Sequence, residues 1–169
     1  MDAQEVILTR RSIRKYKSGE ISEKQMEQIL RAGMQAPSAR NIQPWHFIVI
    51  KERDILDQIP RFHPYSSMIL EAPVAIAVCG DLNEEPSIDY INQNCSAATE
   101  NMLLAAHSMG LGGVWLGIQP RKDRIKGIKE LLELPDRIAP VSLIVLGYPD
   151  EKKGPVDRYR PDRVHFNRW

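Results

Sequence analysis

The stretch RRSIRKY, Arg10 to Tyr16, places four basic side chains in seven residues, and Lys17 follows at once. Such a run is either a solvated face or an anion site. Two features favour the anion. Ile13 is apolar and sits inside the run, so the segment must bury one side. Arginine outnumbers lysine, and its planar fork suits two-point binding of a phosphate. The formal charge of the whole chain is only +1 over 169 residues. Any anion preference is therefore local, and the global footprint of a nucleic-acid binder is absent.

A second stretch, PSARNIQPW (Pro37 to Trp45), is polar, holds two prolines and leads straight into an apolar segment. Polar loops at the start of a strand often carry binding groups. GLGGVWLG (Gly110 to Gly117) has the glycine density of a dinucleotide loop in the wrong order. A helical pattern precedes the glycines and a strand pattern follows, whereas the dinucleotide fingerprint runs strand, glycines, helix. Gly112, Gly113 and Gly117 still suit a close approach of backbone to a flat ligand. His46, His63, His107 and His165 are scattered, and Cys79 and Cys95 form no CxxC, so no metal site is expected. Both cysteines sit in apolar patterns and read as buried thiols. Ser12, Ser38 and Ser66 lack the G-x-S-x-G setting of a nucleophile.

The elements that must hold these residues are legible as patterns. Asp2 and Glu5 have capping-box spacing ahead of Val6 and Ile7, which predicts a short helix ending near Arg10. Ser22 and Gln25 form a second box, with Ile21 and Met26 as staple. Met26, Ile29, Leu30, Gly33 and Met34 keep helical spacing until Pro37 stops it. WHFIVI (Trp45 to Ile50) predicts a strand, and APVAIAVCG (Ala72 to Gly80) a central strand covered on both faces. Ile91, Cys95, Ala98, Met102, Ala105 and Met109 step by four and three along a helix from about Ser87 to Met109. That narrow seam is either a core face or a subunit interface. Val114 to Ile118 predicts a strand, Ile125 to Leu132 a helix closed by Pro135, and Ala139 to Gly147 a last strand. Strands separated by helices make the class α/β or α+β, with helices on both sheet faces. One domain over 1–169 suits the length. No apolar run approaches the roughly 20 residues of a membrane span, and the N-terminus has no signal-peptide core, so a cytoplasmic protein is expected.

Taken together and in order, RRSIRKY, APSARNIQPWHFIVI, APVAIAVCGD, GLGGVWLGI and DRYRPDRVHFNRW resemble the nitroreductase family of FMN-dependent oxidoreductases in its compact form. The likeness runs from about Val6 to Trp169. It implies an α+β fold with a mixed, mostly antiparallel sheet flanked by helices on both faces. It also implies an intertwined homodimer with two FMN sites at the interface. The seam helix would then be the dimer helix, and the tail 148–169 would extend over the partner. The family's phosphate and ribityl contacts fall on Arg10, Arg11, Ser12 and Arg14, joined by Arg158 or Arg160. Ser12 has a double reading, as a cofactor contact or as a helix-end cap. Pro37, Ser38 and Asn41 would reach the flavin from the other subunit. Trp115, Leu116 and Gly117 match the segment whose backbone lies against one flavin face near N5. Lys15 and Lys17 are expected to stay in solvent.

The activity implied is ping-pong transfer of a hydride from NAD(P)H through flavin N5 to a flat acceptor such as a nitroaromatic or quinone. Enone reduction and reductive dehalogenation belong to the same class. A non-catalytic FMN store or sensor would use the same residues, and a phosphate or nucleic-acid binder would use RRSIRKYK alone. Two departures stand out. Met68 occupies the position where many members carry a lysine near the flavin pyrimidine. Only about ten residues, Gly80 to Asp89, join the central strand to the seam helix, which leaves no lid and an open flavin face.

Overall fold

The structure is a computed structural model and describes residues 1–154 and 156–169. Among the described residues there are five α-helices: α1 (Ala3–Thr9), α2 (Glu23–Met34), α3 (Arg53–Leu56), α4 (Ile88–Ser108) and α5 (Lys122–Leu131). Five strands accompany them: β1 (Tyr16–Lys17), β2 (Trp45–Ile50), β3 (Val74–Asp81), β4 (Gly112–Gly117) and β5 (Ile138–Pro149). The helix starts follow their caps. Asp2 Oδ1 accepts from the Glu5 amide at 2.8 Å. At Ser22 both halves of the box form, with Gln25 N donating to Ser22 Oγ and Ser22 N donating to Gln25 Oε1. α2 stops at Met34, ahead of Pro37 as expected.

β5 is the axis of the sheet. It pairs with β3 on one side and with β4, then β1, on the other, while β2 closes the far edge beyond β3. Every pair of named strands is antiparallel. The mixed character expected of the sheet is reduced, among the described residues, to one parallel bridge between Ser12 and Gly113. Alternate residues of the central strands enter opposite cores. Val74, Ile76, Val78, Ile144 and Leu146 face α2 and α4. Ala75, Ala77, Leu143 and Val145 face α5, the segment from α3 to Leu70, and the pair Ile13 and Tyr16. Both faces are covered, which explains why β3 and β5 read as unbroken apolar runs.

The seam of α4 belongs to the first of these cores. Ile91, Cys95, Ala98 and Met102 are all fully buried inside their own subunit. The expectation of a partner-facing seam is therefore corrected for these four, which lie on the sheet, whereas Ala105 and Met109 further along are only half-buried: spacing of four and three describes any helix packed along one stripe. Boundaries moved as well. β4 begins at Gly112 rather than Val114, and β5 runs on to Pro149. β1 was not anticipated, because two residues of strand carry no period.

Candidate functional site

The basic segment is anchored by its apolar residues. Ile13 and Tyr16 are buried, and Tyr16 Oη donates to the Ile13 carbonyl at 2.7 Å. Ile13 N donates to the Gly113 carbonyl at 3.0 Å, which ties the segment to β4. Gly112 and Gly113 are glycines for that packing. A Cβ at Gly112 would lie 2.8 Å from Ile13 Cγ2, and one at Gly113 would lie 2.9 Å from Leu103 and Leu146. The expectation that all three glycines serve a ligand is thus corrected for these two. Gly117 differs: the nearest atom to a Cβ there is 3.8 Å away, so its surroundings are open.

With Ile13 and Tyr16 turned inward, the arginines divide between two clefts. Arg14 lines one of about 490 Å³ together with Trp115, Leu116, Gly117 and Met68. Arg10 and Arg11 line a second, also about 490 Å³, with Arg158 from the tail and the apolar Ile7 and Leu8. Arg10 is not free in it, because its Nε meets Glu100 Oε1 at 3.2 Å. Arg11 donates to the Gly154 carbonyl. The Ser12 carbonyl accepts from Lys153 Nζ at 2.6 Å. The Arg14 amide donates to Glu151 Oε1 at 2.5 Å, and this bond, with Lys153 beside it, holds the Glu151 carboxyl below its usual range. The start of the tail is thereby clamped along the basic segment. Arg160 joins neither cleft; it pairs with Asp162 at 3.1 Å.

Pro37, Ser38 and Asn41 lie elsewhere. Their loop precedes β2, on the edge of the sheet opposite β4. Three strand spacings, about 14 Å in all, separate the two edges. One chain does not bring that loop to the Arg14 cleft. The loop is nonetheless tightly shaped. Arg40, Asn41 and Gln43 all have φ near +55°, the left-handed region that non-glycine residues rarely adopt. Braces from elsewhere hold it there. Ala39 N donates to Asn94 Oδ1 at 3.0 Å, Arg40 meets the buried Glu85 at 2.6 Å, and Gln43 N donates to Ser38 Oγ at 3.0 Å.

The Arg14 cleft also holds residues that the motifs did not flag. His63 Nε2 lies 3.2 Å from the Gly117 carbonyl, and Arg124 Nη1 donates to the same oxygen at 2.7 Å. Burial, reinforced by the Arg124 charge, pushes the His63 pKa below its ordinary value. The ring is therefore neutral at pH 7. A carbonyl only accepts, so the proton of that neutral ring sits on Nε2. The two donors pin the backbone at Gly117. The Arg124 guanidinium stacks over the exposed Tyr65 ring, 5.5 Å from its centre. A signal for Arg124 was present: it lies in the first turn of a helix just after a glycine-ended strand, which puts it at the rim of whatever the strand faces. His63 and Tyr65 fall in an aperiodic stretch between two prolines and gave none.

The cleft is thus a flat apolar wall with cations at its margins and no acid among its lining residues. That suits a planar ligand with negative charge, and an isoalloxazine with a phosphate has those properties. The open backbone at Gly117 leaves room for such a ring, so the residues present fit FMN. Met68 is buried in the same wall, so the charge that the resemblance leads one to seek there is absent at that position. The thiols offer no alternative chemistry: burial pushes both Cys79 and Cys95 up to about 12. Among the described residues no group of three His, Cys, Asp or Glu is placed to hold a metal ion, and no helix is long and apolar enough to cross a membrane.

The model of the nitroreductase family matches residues 7–63 and 60–148 of this chain. A protein of Methanothermobacter thermautotrophicus, provisionally named NADH dehydrogenase/NAD(P)H nitroreductase, is 49% identical over 169 residues, covering 100% of this chain and 88% of its own. The crystal structure of a protein of the same provisional name from Parabacteroides distasonis superposes with a TM-score of 0.94 at 42% identity, covering 98% of each chain. A provisionally named nitroreductase of Desulfovibrio desulfuricans, solved in complex with FMN, superposes with a TM-score of 0.84 at 31% identity, covering 98% of this chain and 96% of that one.

Proposed function

The chain belongs to the nitroreductase family, and from that premise we propose that it is an FMN-dependent oxidoreductase. Its electron donor is NADH or NADPH, and its acceptor is a flat molecule such as a nitroaromatic or a quinone. The observation that carries this reading is the cleft in which Arg14 and the wall Trp115–Gly117 meet. FMN, when bound, supplies the two-electron chemistry, and the protein's part is to bind and orient it. In this reading Arg14 and Ser12 hold the polar end of the cofactor. Trp115, Leu116 and Gly117 support the ring, with the Gly117 backbone pinned by His63 and Arg124. Arg10, Arg11 and Arg158 supply cationic charge nearby, with Arg10 exchanging Glu100 for the phosphate; Arg160 would have to release Asp162 to take part.

The site is completed by a second copy of the chain. Pro37, Ser38 and Asn41 sit on the sheet edge away from their own cleft, so they can serve only a partner's. Ile7 and Leu8 on α1 are 62% and 64% exposed, an apolar face that a partner would cover. Every described residue from Lys152 to Trp169 is exposed, including Phe166 and Trp169, as expected of a tail that finds its contacts on another subunit.

The test is an absorbance spectrum of the purified protein, followed by anaerobic titration with each nicotinamide. A yellow protein bleached by NADH or NADPH and recoloured by a quinone is expected. FMN-loaded protein that neither nicotinamide bleaches would remove the reductase reading and leave a flavin store or sensor.

A further inference from the structure

Arg124 is the one cation of the cleft to which the flavin reading gives no ligand. Of the five N–H donors of a guanidinium, one is used, on the Gly117 carbonyl. Its Nε is buried without a hydrogen-bond partner among the described residues. Among the described residues no carboxylate pairs with it either. The adjacent Asp123 is engaged by Arg121, at 3.4 Å, and the cleft lining contains no acid. A buried, unsatisfied donor on a charged group costs free energy unless a partner arrives. Beside it stands Tyr65, 70% exposed yet held against the guanidinium face. An aromatic ring kept in the open at the rim offers a flat apolar surface, and the fork next to it offers paired donors.

We propose that Arg124 and Tyr65 form an anion subsite at the rim of this cleft, which selects planar acceptors carrying a carboxylate. This rests on the reductase reading above and names its substrate class. The carboxylate would occupy the unused donors of Arg124, while the aromatic body of the acceptor lies along the cleft wall. The planar fork matches a planar carboxylate with two parallel hydrogen bonds. A dinucleotide pyrophosphate is the other source of negative charge, and the experiment separates the two.

The affinities of 4-nitrobenzoate and 4-nitrobenzamide for the FMN-loaded protein are measured by calorimetry. The pair differs in charge and hardly in shape. The wild type is expected to bind the carboxylate about tenfold more tightly, as a charge-assisted hydrogen bond implies. Arg124→Gln should bring the two within twofold of one another, whatever loss both ligands share from the loosened Gly117 backbone. Arg124→Lys, which keeps the charge and loses the fork, should retain part of the preference. Both variants loosen the Gly117 carbonyl and so shift KM for NADH and NADPH to some degree; the ratio between the two nitro ligands, which such a shift does not move, is the readout. A wild-type ratio near one overturns the subsite, and so does a ratio that survives Arg124→Gln. A rise in nicotinamide KM with the carboxylate preference intact assigns Arg124 to the dinucleotide and also overturns it. The two readings fail separately: a protein that nicotinamides bleach but that shows no preference keeps the reductase and loses the subsite. One that shows the preference but is never bleached keeps the subsite and loses the reductase.

Discussion

At the scale of single residues, position within RRSIRKYK decides function more than charge does. Arg14 is exposed at the mouth of the cleft that Trp115 lines, whereas Lys17 lies in the short β1 opposite Tyr148, away from it. Arg14→Glu places an anion where the cofactor's negative end is proposed to sit. It should weaken FMN binding at least about 100-fold, as expected when a charge-assisted contact becomes repulsion. Lys17→Glu should leave binding within twofold. Fluorescence titration of the apoprotein checks both, and equal losses in the two variants would mean that the segment acts only as a diffuse field. His63 gives a second residue-level prediction. Its pKa is lowered in the folded state, so its contribution to stability is present above the unfolded value near 6.5 and is lost as pH falls through the folded value. Protonation also sets a cation beside Arg124. The melting temperature should therefore decline as pH falls from about 7 to 5, and His63→Gln should flatten that part of the curve; an unchanged slope in the variant would exclude His63 as its source.

At the scale of elements, the strands and helices were legible because two opposed cores impose clean periods on them. Capping boxes and prolines marked their ends, as at Ser22 and Pro37. What was not legible is which residues meet across elements. The seam of α4 looked the same whether it faced a sheet or a partner, and only the structure puts Ile91 and Met102 in the core. GLGG read as ligand-facing glycine, yet Gly112 and Gly113 exist for Ile13, Leu103 and Leu146. That difference is testable. Gly113→Ala should destabilise the fold by about 1–3 kcal/mol through overpacking, while Gly117→Ala should leave the melting temperature of the apoprotein within a degree or two and act on FMN affinity instead. Equal melting temperatures in the two variants would contradict the packing account. The loop before β2 shows the same limit. Its motif was visible, but the braces that hold its left-handed backbone come from Glu85 and Asn94, some 45 to 55 residues on. The Glu85 carboxyl is held below its usual range by the Ser87 amide first and by Arg40 next. Its stabilisation is present above the unfolded value near 4.3 and is lost as pH falls through the folded value. Glu85→Gln should lower the melting temperature at pH 7 and flatten its fall between about pH 4.5 and 3.

At the scale of the whole molecule, the proposed site is incomplete within a single chain. The two halves of the motif pair that made the sequence recognisable, RRSIR and PSARNIQPW, end on opposite edges of one sheet, and no local rearrangement closes about 14 Å across three strands. In the proposed dimer a twofold axis would solve this, because an isologous pairing would set the PSARN edge of each copy beside the cleft of the other. In the same proposal the tail is a second device for that end. It is clamped at its root, where Glu151 takes the Arg14 amide and Lys153 the Ser12 carbonyl, and beyond that root its described residues bury nothing in their own chain. Ending the chain after Gly154 therefore removes no core residue among those described and keeps the clamp. The truncated protein should melt as an apoprotein with its helical and strand content intact. Light scattering should nonetheless show its dimer weakened relative to the full chain, and FMN affinity should fall with it, since Arg158 is lost along with the contacts across the partner. A truncated chain that remains a tight dimer and binds FMN as the full chain does would place the tail outside the interface. It would leave α1, with Ile7 and Leu8, as the face on which the two copies meet.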